Sequence, residues 1–227
     1  MVGKIHIIIV AGGSGTRFGS PLPKQFLPLC DGRTVIAHTI DNLRRACPEA
    51  ALTVVLPPGR EELFRTLGDY SDIITVPGGR TRWESVKNGL QTVTDDTGIV
   101  MVHDAARPFV TAGIMDRLLD AHAAGARGAV PAVPVTDSLR RLAPDGSSEA
   151  VDRSVLRAVQ TPQSFEAAML KTCYCLPYRD SFTDDASVME AATEASPAMV
   201  PGEWFNIKIT DPADIATADF IVKELGL

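Results

Sequence analysis

Five continuous apolar runs, KIHIIIVA, LTVVLP, DIITVPGG, IVMVHDAARP and GAVPAVPV, alternate with amphipathic stretches near residues 34–47, 59–68, 81–94 and 111–125. Nothing else in the chain limits its fold as strongly. Strands written as unbroken apolar runs are buried on both faces, and strands that alternate with helix-length segments are joined by crossovers. The pattern predicts an α/β chain with a mainly parallel sheet covered by helices on both faces. Thr81 and Glu84 spell a capping box at the start of the third helix, and Asp211 followed by Pro212 marks the start of the last one. With 227 residues and no visible repeat or linker, one domain is expected over 1-227.

The first strand runs into IIIVAGGSGTRFGSPLPK, a glycine-rich loop that ends in two cations, Arg17 and Lys24. Gly12, Gly13 and Gly15 lack Cβ atoms, so the loop can aim successive backbone N–H groups into a concavity that favours anions. Arg17 adds a planar fork of donors and Lys24 a mobile point charge. The pattern is neither of two familiar phosphate motifs. A P-loop needs GxxxxGK[ST], but Lys24 follows Pro23 and precedes Gln25; a dinucleotide fingerprint needs GxGxxG, but the spacing here is GxGxxxG. What remains is the chemistry of a nucleoside triphosphate site.

In an open parallel sheet, ligands sit at the carboxyl ends of the strands. AGGSGTR, PGGRTRWES and HDAARP follow the first, third and fourth runs, so these three loops are expected to converge on one cleft. Their cations, with Arg153 and Lys208 further on, sit in a chain of net charge −6, which fits a local pocket for a small polyanion and argues against nucleic-acid binding. No apolar run approaches the ~20 residues of a membrane span. Cys30, Cys47, Cys173 and Cys175 lack zinc spacing and read as reduced, mostly buried thiols of a cytoplasmic protein. Residues 136-157, TDSLRRLAPDGSSEAVDRSVLR, break the rhythm and read as a β-hairpin around PDGSS. A two-stranded projection is marginal alone, so a second subunit is its expected support.

AGGSGTRFGSPLPKQF, PGGRTRWESVKNG, VHDAARPF, VQTPQSF, FTDDASVME and NIKITDPADI, in this order from about residue 5 to residue 222, resemble the successive motifs of the 2-C-methyl-D-erythritol 4-phosphate cytidylyltransferases. That resemblance implies a three-layer, Rossmann-like fold of nucleotidyltransferase type with a protruding β-arm. It also implies transfer of a cytidylyl group from CTP to the polyol phosphate, with release of pyrophosphate, in a homodimer joined through the arm at 136-157. Ribitol 5-phosphate cytidylyltransferases share the outline, including LPKQFL and QTPQ, but tend to read HDSVRP where this chain has HDAARP. A catalytically silent nucleotide-binding protein is the alternative from another class; the joint retention of Arg17, Lys24, Asp104 and Lys208 argues against it.

Carried over residue by residue, the resemblance implies that Ala11, Gly12, Gly13 and Gly15 wrap the triphosphate and that Arg17, Lys24 and Lys208 are catalytic. Gly79, Arg80 and Ser85 match positions that read cytosine, and Ala105 lies against the ribose. Asp104 is the implied ligand of Mg²⁺ or another divalent cation. Ser138, Arg153, Thr161 and Thr183 match positions around the acceptor. His103 is expected to be a packed, hydrogen-bonded histidine, Arg82 and Arg107 to support their loops, and Thr183 has a second reading as a helix cap. Phe205 stands where some members carry an acidic residue, with Glu203 two residues earlier, and AGG replaces the AAG of many relatives.

Overall fold

The structure is a computed structural model in which residues 4–12 and 22–226 are described. Gly13, Gly15 and Arg17 therefore lie outside the described residues. The five apolar runs form β1 (Ile5–Val10), β2 (Ala51–Leu56), β3 (Ile74–Pro77), β4 (Ile99–Asp104) and β5 (Gly128–Pro134). The amphipathic stretches form α1 (Val35–Ala46), α2 (Glu61–Arg65), α3 (Arg82–Leu90) and α4 (Ala112–Ala123). α2 is shorter than its pattern implied. Beyond β5 come β6 (Leu139–Leu142), β7 (Ser148–Val151), β8 (Arg157–Val159), β9 (Gln163–Glu166), α5 (Ala167–Cys173), α6 (Asp185–Thr193), β10 (Ala198–Pro201) and α7 (Ala213–Leu225).

The main sheet has the order β10-β5-β9-β4-β1-β2-β3, with β8 also paired to β5. β1 runs parallel to both β2 and β4, with Val10 beside Val55 on one side and Asp104 on the other. β9 is antiparallel to β4 and β5 and separates them. The chain leaves β1 toward β2 and later returns to its other side as β4. The connections thus diverge at the carboxyl ends of β1 and β4, where an open sheet leaves a crevice.

Alternation along each strand feeds two cores. Ile7 and Ile9 join Val54 and Met101 under α1, α2 and α4, whereas Ile8 joins Val55, Val100 and Val102 under α3, α5 and α6. These three isoleucines are fully buried, and each such burial stabilises the fold by about 1.5–3 kcal/mol. A third, smaller cluster seats α7 through Ala218 and Ile221 against Val35 and Phe109. No described helix is long and apolar enough to cross a membrane.

Local signals are corrected in detail. Thr81 caps α3 by accepting from the Glu84 N–H, but the Glu84 carboxylate turns to the Arg80 N–H, so only half of the capping box forms. Asp184, one residue beyond Thr183, caps α6 in a full box with Ser187. Pro212 has helical dihedrals but stands one residue before α7. Cys47 and Cys173 are buried, while Cys30 and Cys175 are exposed. The β6–β7 hairpin forms around Gly146, at φ +84°, and within the described strands pairs only with itself.

Candidate active site

Described parts of three loops meet at the carboxyl ends of β1, β3 and β4. The Ala11 N–H donates to Val55 O at 2.9 Å, holding the exit from β1 against β2. A Cβ on Gly12 would come within 2.9 Å of Ser85 Oγ, so glycine is what lets this exit pass the first turns of α3. At Gly79 the restriction is harsher, because a Cβ would stand 2.2 Å from Glu84 Cβ. The buried Ser85 hydroxyl donates to Thr81 O and accepts from the Gly79 N–H, while the Arg80 N–H is taken by Glu84. The loop after β3 is therefore braced from within, and the Arg80 side chain is left 93% exposed.

Lys24 opens a short 3-10 turn beyond the glycine-rich loop. Its neighbour Gln25 is buried and donates through its amide to Ala11 O, tying this turn to the end of β1. Burial opposes ionisation of Asp214, but hydrogen bonds from Thr210 and Asp211 and the charge of Lys24 outweigh it and hold the carboxyl below its ordinary range. Lys24 thus acts electrostatically on the start of α7, just past the segment that carries Lys208.

Asp104 ends β4 and gathers three cations. Arg82 Nε donates to Oδ1 at 3.2 Å, Lys208 Nζ approaches Oδ2 at 2.7 Å, and Arg107 Nε stands 4.0 Å from Oδ2. Burial alone would raise the Asp104 pKa, yet Arg82, Lys208 and Arg107 together hold it far below the usual carboxylate range. The irregular segment bearing Lys208 is laid along the β4 loop by Ile209 N–H to Ala106 O at 2.9 Å and by Arg107 Nη1 to Asn206 O at 2.9 Å. Arg107 supports its loop, as the sequence implied. Arg82 reaches further, to the fully buried Asp185 at 2.7 Å.

His103 is buried, and both ring nitrogens are engaged. Nε2 lies 2.9 Å from Arg107 O, and Nδ1 lies 3.0 Å from the Thr161 hydroxyl, which in turn accepts from the Asp104 N–H at 3.1 Å. A carbonyl partner requires Nε2–H, and complete burial disfavours a second ring proton, so Nδ1 accepts from the Thr161 hydroxyl and the ring is neutral. Desolvation accordingly lowers its pKa from 6.5 to about 4. The unfolded imidazole binds its proton near pH 6.5 while the folded one resists until about pH 4. Acidification through that window favours unfolding, and this group alone is expected to cost about 3 kcal/mol between pH 7 and pH 4. Urea titrations across this range check it: His103→Gln should flatten the slope, and an unchanged slope would contradict the neutral assignment.

The acceptor positions are not drawn into this cluster. Thr161 is near Asp104, but its hydroxyl is used inside the chain. Ser138, Arg153 and Thr183 are exposed and make no hydrogen bond or ion pair with Asp104, Arg82 or Lys208; Arg153 donates to Thr136 O. Glu203 is taken by the Thr111 hydroxyl at 2.7 Å and Arg117 at 2.9 Å, and Phe205 packs against the cluster that seats α7. Gln25, Asp185 and Tyr174, which donates to Asp185 at 2.6 Å, went unnoticed in the sequence. The only local hint was an acidic residue in the first turn of the FTDDASVME helix.

Among the described residues no group of three His, Cys, Asp or Glu side chains stands ready to hold a metal. Asp104 nevertheless fits a hard divalent cation, being an oxygen donor that stays ionised at the rim of the crevice. Mg²⁺ commonly takes one or two carboxylates and fills its shell with water and phosphate oxygens.

The chain is similar to known proteins over nearly its whole length. Residues 5–224 match the model of the 2-C-methyl-D-erythritol 4-phosphate cytidylyltransferase family. A protein of that name from Bacteroides thetaiotaomicron is 41% identical over 219 residues, covering 93% of this chain and 96% of its own. Another, from Porphyromonas gingivalis, is 42% identical over 225 residues, covering 96% and 98%. The crystal structure of the Thermus thermophilus enzyme of the same name superposes with a TM-score of 0.77 at 31% identity, covering 98% of this chain and all of that one. By sequence and by fold, the chain belongs to the 2-C-methyl-D-erythritol 4-phosphate cytidylyltransferase family.

Proposed function

We propose that this chain, as a single cytidylyltransferase domain over 1-227, transfers the cytidylyl group of CTP to 2-C-methyl-D-erythritol 4-phosphate, giving 4-diphosphocytidyl-2-C-methyl-D-erythritol and pyrophosphate. The observation that carries the reading is the joining of Asp104 to Lys208 at the carboxyl end of β4, in a chain whose family match spans nearly its whole length. A phosphate oxygen of the acceptor attacks the α-phosphorus in line, and the bond to the bridging oxygen of pyrophosphate breaks. A phosphate monoester, with a second pKa near 6, is already largely dianionic at neutral pH. No general base is needed, in keeping with a neutral His103 whose nitrogens are both occupied.

Binding then amounts to bringing polyanions together and stabilising charge as the transition state forms. In this reading the loop of Ala11, Gly12, Gly13 and Gly15 wraps the triphosphate, with backbone donors from the residues beyond Ala11, whose own N–H is held by Val55 O, and Arg17 and Lys24 stabilise the α-phosphate and the departing pyrophosphate. Lys208 leaves Asp104 to bridge the two reacting phosphates, while Arg82 keeps Asp104 in place from Oδ1. Asp104 would hold Mg²⁺, which supplies neutralising charge to the phosphate oxygens when bound. The backbone at Gly79 and Arg80 with Ser85 faces the cytosine, and Ala105 lies against the ribose. Ser85 retains one lone pair for this, beyond its bonds within the loop.

The β6–β7 hairpin serves as the dimer arm in the same reading, supported by Leu142 and Val155, which are 76% and 75% exposed. Arg153 of one subunit then reaches the acceptor phosphate of the other, alongside Ser138, Thr161 and Thr183. A cytoplasmic setting, where thiols stay reduced, belongs to this reading as well. The test is pyrophosphate release with CTP and each of two acceptors. Methylerythritol phosphate should support turnover and ribitol 5-phosphate should not; release with neither would refute an active enzyme. Arg153→Ala is expected to raise the acceptor KM about tenfold or more with little change in the KM for CTP, in line with loss of a charged hydrogen bond.

A further inference from the structure

The Nε–Nη2 edge of an arginine ordinarily grips one carboxylate with two parallel bonds. In Arg82 this edge is divided: Nε donates to Asp104 Oδ1 at 3.2 Å and Nη2 to Asp185 Oδ2 at 2.7 Å. Two carboxylates therefore compete for one planar fork. Asp185, fully buried at the start of α6, has a second oxygen, Oδ1, that would complete a bidentate pair with Arg82 if it were available. It is instead turned to the Tyr174 hydroxyl, which donates to it at 2.6 Å and fixes the rotation of the carboxylate, with Oδ2 alone bonded to Arg82. Tyr174 is held in turn by Trp83, the residue after Arg82, with ring centroids 5.5 Å apart and planes 23° apart. The Asp185 and Ala186 N–H groups are pinned by Gln163 Oε1, so the backbone beneath the carboxylate is fixed as well.

We propose that Tyr174 is a positioning residue for Asp104. By holding Asp185 Oδ1 it fixes the rotation of that carboxylate with Oδ2 toward Nη2 of Arg82, and so leaves Nε for Asp104. Asp104 then keeps one oxygen tethered and turns the other toward Lys208. Tyr174 touches no reactant; it acts through two intervening side chains. This rests on the reading above, in which Asp104 serves the nucleotide site.

The test is a double-mutant cycle on turnover with CTP and methylerythritol phosphate, using the wild type, Tyr174→Phe, Asp104→Asn and the double variant. It is run at a temperature at which all four are folded by circular dichroism. Tyr174→Phe keeps the ring and its stack on Trp83. Its kcat is expected to fall about five- to twentyfold, with both KM values within about twofold, as for a misplaced group that acts after binding. In the Asp104→Asn background the same change should alter kcat less than about twofold, because the two residues act in one chain. An equal loss in both backgrounds would make Tyr174 merely structural, and no loss in the wild type would refute its role outright; either overturns the proposal. Full activity of Asp104→Asn would instead overturn the assignment of Asp104 to the site, and the proposal with it.

Discussion

Lys208→Ala is expected to lower kcat by about a hundred- to a thousandfold while the dissociation constant for CTP changes only a few-fold, the scale on which removing one preorganised charge acts on a transition state. The reason lies in where the ammonium rests. With Nζ 2.7 Å from Asp104 Oδ2 and the side chain 39% exposed, Lys208 is both held and free to turn. Its bond to Asp104 can be traded for one to phosphate without abandoning the carboxylate, which Arg82 and Arg107 still neutralise. The charge is then used most when five oxygens crowd around phosphorus, which is why rate should suffer more than affinity. Lys24→Ala should behave alike. Steady-state rates beside an equilibrium CTP titration check both, and matching losses in rate and affinity would contradict the assignment.

Arg82→Ala should destabilise the fold by about 3–5 kcal/mol, the range found when one partner of a buried ion pair is removed. Asp185 has no exposed side-chain surface, and Arg82 is its only cationic partner among the described residues. Without the guanidinium, its carboxylate keeps only neutral partners, the Tyr174 hydroxyl among them. Burial opposes the charge on Arg82, but Asp185 and Asp104 outweigh it and raise the pKa well above the ordinary value, so the cation persists across any working pH. Urea unfolding near neutral pH reads the effect. Arg80→Ala, two residues away on a side chain 93% exposed, should leave the midpoint unchanged. A comparable shift for both would mean that the loop, rather than the buried pair, carries the stability.

The parallel core was legible because Ile7, Ile8 and Ile9 and their counterparts in β2 and β4 are buried on both faces, and such strands are written in the sequence as apolar runs. β9 was not legible. Its buried residues include Gln163 and Ser164, polar groups satisfied by Asp184, Asp185 and Ala129 from elsewhere in the chain, so no apolar run announces it. The site divides in the same way. Asp104, Lys24 and Lys208 stood out as a carboxylate and cations at strand ends or in motifs. The link from Arg82 to Asp185 spans 103 positions, and local spacing holds no trace of it. Thr161 and Ser85 carry the right chemistry for contacts with ligand, and their hydroxyls also brace loops, a second use that spacing does not reveal.

Arg82 and Asp104 both precede β5, whereas Asp185 and Lys208, the side chains that complete their pairing, follow the hairpin. Synthesis on the ribosome therefore delivers the early parallel strands well before the counter-ions they need. Because domains condense as units once their contacts can form, an emerging polypeptide stopped short of residue 185 would set Arg82 and Arg107 against Asp104 alone, one cation in excess at the mouth of the sheet. The pairing around Asp104 is complete only once Asp185 and then Lys208 have been added.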